Sequence, residues 1–159
     1  PKKIWSSILK QDAAESVQAV QLQCCRTENK MEFAELIQKA KKAKEQAYAP
    51  YSGFHVGAAL LCKDGTIFTG CNIENSAYGP TNCAERTAIF KAVSEGFREF
   101  EAIAIISDSK QPTAPCGVCR QVMAEFCSRD FQVLMLGCEG SQRTASLGEL
   151  LPYAFSLEK

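Results

Sequence analysis

The sequence predicts an α/β fold with three layers, α/β/α, built around one mixed sheet of about five strands. Apolar residues recur at helical spacing in some segments and form short, wholly apolar runs in others. The predicted elements follow in the order α-β-β-α-β-α-β, which implies one sheet flanked by helices. With 159 residues, 46% of them hydrophobic and 23% charged, the chain suits a single globular domain rather than a disordered segment.

The first 30 residues are polar and rich in Gln and Ser, and we interpret them as an extension of a domain over residues 31–159. Acidic residues follow too early for a signal segment. A short amphipathic helix is predicted instead from four apolar residues on one helical face, Ile4, Trp5, Ile8 and Leu9.

A helix is predicted from Met31, with Pro50 ending it, because apolar residues recur there with a period near 3.6. Glutamates share the segment with its lysines, which favours a solvated face over a stripe that binds nucleic acid. Strands are predicted over 54–61, 66–73, 102–107 and 131–136. Further helices are predicted over 83–96, 116–127 and 146–151, followed by an apolar tail over 152–155.

Charge and cysteine content limit the partners and the compartment. The 18 basic and 18 acidic side chains cancel, which disfavours a nucleic acid polymer as partner. No apolar run approaches the roughly 20 residues that span a bilayer, so no membrane partner is expected. Nine cysteines cannot all pair within one chain, and we interpret most of them as reduced and buried in a cytoplasmic protein.

Two short motifs carry the candidate chemistry. Cys116 and Cys119 form a C-x-x-C pair that follows Pro115 at the start of a predicted helix, where positions i and i+3 share a face. This pair alone fits a redox couple, half of a structural zinc site or part of a catalytic zinc site. Cys83 and Glu85 open another predicted helix, where Cys83 could bind a metal and Glu85 could reach its open side.

Three protein ligands are typical of catalytic zinc and four of structural zinc, so a set of Cys83, Cys116 and Cys119 favours catalysis. Three thiolates give a divalent zinc a net negative charge. Arg86 could hydrogen-bond to a thiolate and withdraw some of that charge, or it could be an ordinary surface arginine. His55 is the only histidine, and we expect it to be structural rather than a ligand.

The Cys-Ala-Glu at 83–85 and the Pro-Cys-Gly-Val-Cys at 115–119 match the signature of zinc deaminases. Over about residues 31–159 the chain resembles the small homotetrameric cytidine deaminases. The other matching segments follow in the family's order: Tyr48-Ala49-Pro50-Tyr51-Ser52, Phe54, Val56-Gly57-Ala58-Ala59, Gly70-Cys71-Asn72-Ile73-Glu74-Asn75, Arg86-Thr87-Ala88 and Leu150-Leu151-Pro152.

The resemblance implies a cytidine deaminase-like fold and a zinc-dependent hydrolase of pyrimidine salvage. It would convert cytidine and deoxycytidine to the uracil nucleosides and ammonia. One Zn²⁺ per chain would be held by Cys83, Cys116 and Cys119, and Glu85 would move protons. The family homotetramer completes its active sites with neighbouring subunits.

The resemblance also implies which residues contact the nucleoside. Phe54 would pack against the pyrimidine, and Asn72 and Glu74 would contact the sugar. Tyr78 and Phe155 match positions that approach the site, and Ala84 is counted with them. Three alternatives stay open: a deaminase of another cytosine nucleoside or nucleotide, a C-x-x-C redox protein, and a structural-zinc module.

Overall fold

The computed structural model describes residues 33–157. Helix α1 covers residues 33–44 of this range. The remaining elements follow in chain order: β1 (Val56–Cys62), β2 (Ile67–Cys71), α2 (Ala84–Ser94), β3 (Phe100–Ser107), α3 (Gly117–Phe126), β4 (Gln132–Leu136), β5 (Gln142–Ser146) and α4 (Leu147–Leu150).

Within residues 33–157, five strands form one mixed sheet in the order β2-β1-β3-β4-β5. Strand β1 pairs antiparallel with both β2 and β3, so β2 and β3 run in the same direction. Strands β3 and β4 are parallel, and α3 forms the crossover that such a pair requires. Since α2 follows β2 and α3 follows β3, both helices begin at the same edge of the sheet.

Alternating residues of β1 face opposite layers. Ala58 and Leu60 belong to a core cluster that also contains Ile89 of α2 and Met123 of α3. The opposite face meets α1, where the backbone of residues 40–44 lies so close to Gly57 that no Cβ fits there. Helices therefore cover both faces of the sheet, as the α/β prediction requires.

The α/β class and the mixed sheet are confirmed, but two details differ from the expectations, and a third expectation is not tested. Strand β5 was not located from the pattern, because its residues are exposed apart from Ala145 and half-buried Ser146. Helix α1 ends at residue 44 rather than at Pro50, and Tyr48 beyond it forms a bridge with Ile73. The helix predicted from Ile4 to Leu9 lies outside the described residues.

No helix among residues 33–157 is both long enough and apolar enough to cross a membrane.

Helix α2 packs closely on β2 at Gly70. A Cβ at this position would lie 2.5 Å from both the Ala84 carbonyl oxygen and the Ala88 nitrogen. We expect Gly70→Ala to lower the free energy of unfolding by about 1–3 kcal/mol, because the backbone of α2 must shift. Urea denaturation checks this, with Gly79→Ala as the control, since no described atom lies within 4 Å of a Cβ built there. Equal stability of the two variants would contradict the prediction.

Candidate metal centre and active site

Three thiols meet where α2 and α3 begin. Cys83 is the N-cap residue of α2, Cys116 is the N-cap residue of α3, and Cys119 lies in the first turn of α3. The Cys116 sulfur lies 3.9 Å from the Cys83 sulfur and 3.5 Å from the Cys119 sulfur. All three sulfurs lie within 4.8 Å of one another.

These distances fit one zinc ion. Tetrahedral zinc with Zn–S bonds of about 2.3 Å places its sulfur ligands about 3.8 Å apart. Thiolates are soft ligands that suit zinc. Among the described residues the group contains three potential ligand residues and no fourth, which is the number typical of a catalytic site.

The surroundings of Cys83 favour its thiolate form. The pKa of the Cys83 thiol falls to about 5, because the Cys119 thiol hydrogen-bonds to it and the Arg86 guanidinium lies beside it. Arg86 Nη2 donates to Cys83 Sγ at 3.3 Å and to the Thr81 carbonyl oxygen at 3.2 Å. The pKa of Cys119 is raised, because its thiol hydrogen-bonds to Cys83 and its side chain is buried.

Glu85 lies two residues after Cys83 in the first turn of α2 and is 5% exposed. Burial raises the pKa of Glu85 to about 7, and the negative charge at Cys83 adds to the shift. A carboxyl group that titrates near neutrality can both accept and donate a proton during one reaction. The structure therefore places three sulfurs that could hold one metal ion close to a buried carboxyl group.

Phe54 lies two residues before β1, and hydrogen bonds hold both its N–H and its carbonyl group. Its N–H donates to Ser52 Oγ at 3.0 Å, and its carbonyl oxygen accepts from Asn72 Nδ2 at 2.8 Å. Asn72 Oδ1 in turn accepts from the Val56 N–H at 2.8 Å. The side chain of Asn72 thus ties down the start of β1, a contact that its alternation pattern did not reveal. Phe54 is 38% exposed.

Glu74 is bound to the turn that precedes Phe54. One carboxylate oxygen, Oε2, accepts from the Tyr51 N–H at 2.9 Å and from the Ser52 N–H at 3.2 Å. The other, Oε1, accepts from the Ser52 hydroxyl. A cavity of about 180 Å³ adjoins this carboxylate, lined by Tyr51, Ser52, Glu74, Asn75, Tyr78 and Thr81. The expected sugar contact Glu74 and the exposed Tyr78 therefore share one cavity.

Two other expected contacts lie outside this cavity. Ala84 is fully buried, and its side chain belongs to the core, so its backbone is what remains for a ligand. Phe155 is exposed and lines a different cavity of about 220 Å³ together with Cys127 and Leu151. Gln121 Nε2 donates to the Phe155 carbonyl oxygen at 2.8 Å, which fixes the tail along α3.

His55 lies outside the cysteine group. Its Nδ1 lies 2.8 Å from Asp108 Oδ2, and Lys44 Nζ lies 2.7 Å from the other Asp108 oxygen. These contacts join α1, the start of β1 and the end of β3. No role for Asp108 or Ser52 was predicted from the sequence. The signal for Ser52 was its position in the Pro50–Gly53 turn, and no pattern pointed to Asp108.

Comparisons with known proteins agree with this arrangement. The model of the "Cytidine and deoxycytidylate deaminase zinc-binding region" matches residues 30–135, a range that contains the three cysteines and Glu85. A cytidine deaminase from Sporosarcina psychrophila is 57% identical over 128 residues, covering 80% of this chain and 94% of that protein. A probable cytidine deaminase from Dictyostelium discoideum is 47% identical over 131 residues, covering 82% and 88%.

Solved structures agree as well. The crystal structure of a cytidine deaminase from Burkholderia pseudomallei superposes with a TM-score of 0.75 at 52% sequence identity, covering 77% of this chain and 98% of that one. The cytidine deaminase from Mycobacterium tuberculosis superposes with a TM-score of 0.68 at 40% identity, covering 79% and 98%. The similarity thus extends over most of the described residues.

Proposed function

Because the chain belongs to the cytidine and deoxycytidylate deaminase family, we propose that it hydrolyses cytidine and deoxycytidine to uridine and deoxyuridine with release of ammonia. The observation that carries this proposal is the group of three thiols at zinc-binding distances beside a buried carboxyl group with a pKa near neutrality. Cys83, Cys116 and Cys119 hold one Zn²⁺ per chain. Bound zinc supplies Lewis acidity and lowers the pKa of water in the site.

Glu85 is the catalytic residue that moves protons. It takes one proton from the attacking water and gives it to ring N3, which makes C4 electrophilic. The oxygen adds to C4, and Glu85 carries the second water proton to the amino group. The C–N bond then breaks, ammonia leaves, and the product keeps the C4 carbonyl and the N3 proton. The near-neutral pKa of Glu85 suits both transfers.

Arg86 supports the site through charge. An all-thiolate site carries a net charge of −1 with divalent zinc, which reduces Lewis acidity. The 3.3 Å contact between Arg86 Nη2 and Cys83 Sγ withdraws electron density from that sulfur.

The nucleoside contacts are part of the proposal. Phe54 packs against the pyrimidine, Asn72 and Glu74 contact the sugar, and the backbone of Ala84 lines the base subsite. Tyr78 contributes from the cavity that it shares with Glu74. The carboxylate of Glu74 disfavours a phosphate group nearby by repulsion between like charges.

The chain associates with copies of itself, as a homotetramer in which neighbouring subunits complete each active site. Tyr153, Phe155 and Leu157 are exposed on the C-terminal tail and supply apolar surface for such contacts. Residues 31–159 form the catalytic domain, and residues 1–30 are an extension. The cysteine content supports a cytoplasmic location.

Two other classes explain less. A redox pair at Cys116 and Cys119 leaves the buried Glu85 without a role. A structural-zinc module requires a fourth ligand, which the group of sulfurs lacks among residues 33–157.

A zinc assay combined with ultraviolet-monitored deamination tests the proposal. We expect about one zinc per chain and loss of the cytidine absorbance band with both cytidine and deoxycytidine. The two monophosphates serve as comparison substrates, with slower turnover expected. One zinc per chain without any change in the cytidine band would contradict the proposed substrate, and thiol-dependent activity without zinc would favour the redox class.

A further inference from the structure

A tight turn over residues 49–53 lies between Phe54, the expected base contact, and Glu74, the expected sugar contact. The Gly53 N–H donates to the Ala49 carbonyl oxygen at 3.0 Å, and Gly53 has a φ of +65°, a conformation that favours glycine. This turn leads directly into Phe54. Its exposed residue Ser52 therefore lies between Phe54 and the Glu74 carboxylate.

The hydroxyl group of Ser52 uses both of its hydrogen-bonding capacities at this point. It donates its single proton to Glu74 Oε1, and it accepts from the Phe54 N–H at 3.0 Å. The backbone N–H groups of Tyr51 and Ser52 bind the other oxygen, Oε2. Both carboxylate oxygens of Glu74 are thus held by the same turn, and Oε1, which accepts one hydrogen bond where Oε2 accepts two, keeps lone-pair capacity for a ligand.

We infer that Ser52 is a positioning residue, which sets the orientation of the Glu74 carboxylate relative to Phe54 and thereby the affinity of the site for the nucleoside. The inference rests on the proposed function, in which Glu74 contacts the sugar and Phe54 packs against the base. Ser52 itself need not touch the substrate.

Three features support this role. Glu74 borders the 180 Å³ cavity, so its orientation decides which acceptor atoms a ligand meets. Without the hydroxyl, only Oε2 stays bound, and the carboxylate can rotate about that contact. The pKa of Glu74 is lowered first by the Ser52 hydroxyl and next by the Tyr51 N–H, with a smaller contribution from the charge of His55. The hydroxyl thus interacts with the charged form of the carboxylate.

Replacement of Ser52 separates positioning from folding. We expect Ser52→Ala to raise KM for cytidine about tenfold, while kcat changes by less than about twofold because the sulfurs and Glu85 are untouched. Ser52→Thr keeps a hydroxyl and should restore KM to within about threefold of the wild-type value. The melting temperature of Ser52→Ala should stay within about 2 °C of the wild-type value.

Ser94→Ala is the matched control. The Ser94 hydroxyl also donates to a neighbouring acceptor, the Lys91 carbonyl oxygen at 2.7 Å, at the far end of α2. Its loss should leave KM and kcat unchanged.

A double-mutant cycle with Glu74→Ala tests the coupling. In the Glu74→Ala background, Ser52→Ala should change KM by less than about twofold, because no acceptor is left for the Ser52 hydroxyl to orient. An unchanged KM in the single variant Ser52→Ala, or an equal increase in both backgrounds, would overturn the inference.

Carbon-13 NMR titration of the Glu74 carboxyl group provides a readout that needs no turnover. The Ser52→Ala variant should raise the pKa of Glu74 towards its ordinary value, and an unchanged pKa would overturn the inference. The wild-type deamination assay decides the proposed function separately, so the failure of one proposal is not mistaken for the failure of the other.

Discussion

Glu85→Gln is expected to lower kcat for cytidine by about three orders of magnitude or more, while about one zinc per chain is retained. The amide has nearly the same shape as the carboxyl group, so the buried position stays filled, but it can neither accept the water proton nor deliver one to the leaving amino group. The three sulfurs remain, and nucleoside binding should change little. Stopped-time ultraviolet assays, zinc analysis and a binding measurement with uridine check the three parts separately.

The control for this prediction is Glu95→Gln. Glu95 is exposed at the C-cap of the same helix, so its loss of charge should leave turnover and zinc content unchanged. Near-normal turnover of Glu85→Gln would contradict the proposed proton transfer. Loss of zinc from the same variant would contradict a different point, namely that Glu85 acts beside the metal without binding it.

Cys83→Ala is expected to abolish stoichiometric zinc binding and, with it, deamination. The substitution leaves the sulfurs of Cys116 and Cys119 but removes the sulfur at the start of α2. Zinc content should fall to about a tenth of the wild-type value or less after dialysis against a mild chelator. Chelation should also lower the melting temperature of the wild-type protein, because zinc binds the folded state, whereas the melting temperature of the variant should not respond.

Cys138→Ala is the matched control, since Cys138 is exposed and lies outside the group of three sulfurs. It should retain about one zinc per chain. Full zinc content in Cys83→Ala would remove Cys83 from the ligand set. Loss of zinc from both variants would mean that zinc retention reflects general stability rather than ligation.

The sheet and its main helices could be predicted because their signals are local. Burial on one face leaves a period of about 3.6 in α2, and burial on both faces leaves the apolar run of β3. Strand β5 carries no such signal, because its residues from Gln142 to Thr144 are exposed and polar. The end of α1 was predicted wrongly because a helical pattern is present in the sequence where the structure has no helix. The apolar period continues through Ala47 and Tyr48, but Tyr48 bridges to Ile73 instead of extending the helix.

The same distinction applies to the site. The candidate zinc ligands and Glu85 could be proposed because each of the two motifs lies within one helical turn and the resemblance to zinc deaminases joins both motifs in one site. The hydrogen bond between the Ser52 hydroxyl and the Glu74 carboxylate joins residues that are 22 positions apart in the chain. It depends on how the turn that ends at Gly53 lies against the segment that follows β2. No periodicity encodes that contact. The double engagement of Asn72 with the backbone at Phe54 and Val56 was hidden for the same reason.

The polar character of β5 has a consequence for the whole molecule. Strand β5 is an edge of the sheet, and such an edge presents unpaired backbone groups to which another chain can add by β-pairing. Short length and a charged side chain such as that of Arg143 are features by which natural proteins discourage such additions. The exposed polar residues of β5 leave no apolar strand pattern in the sequence, and the same residues disfavour edge-to-edge aggregation of the sheet.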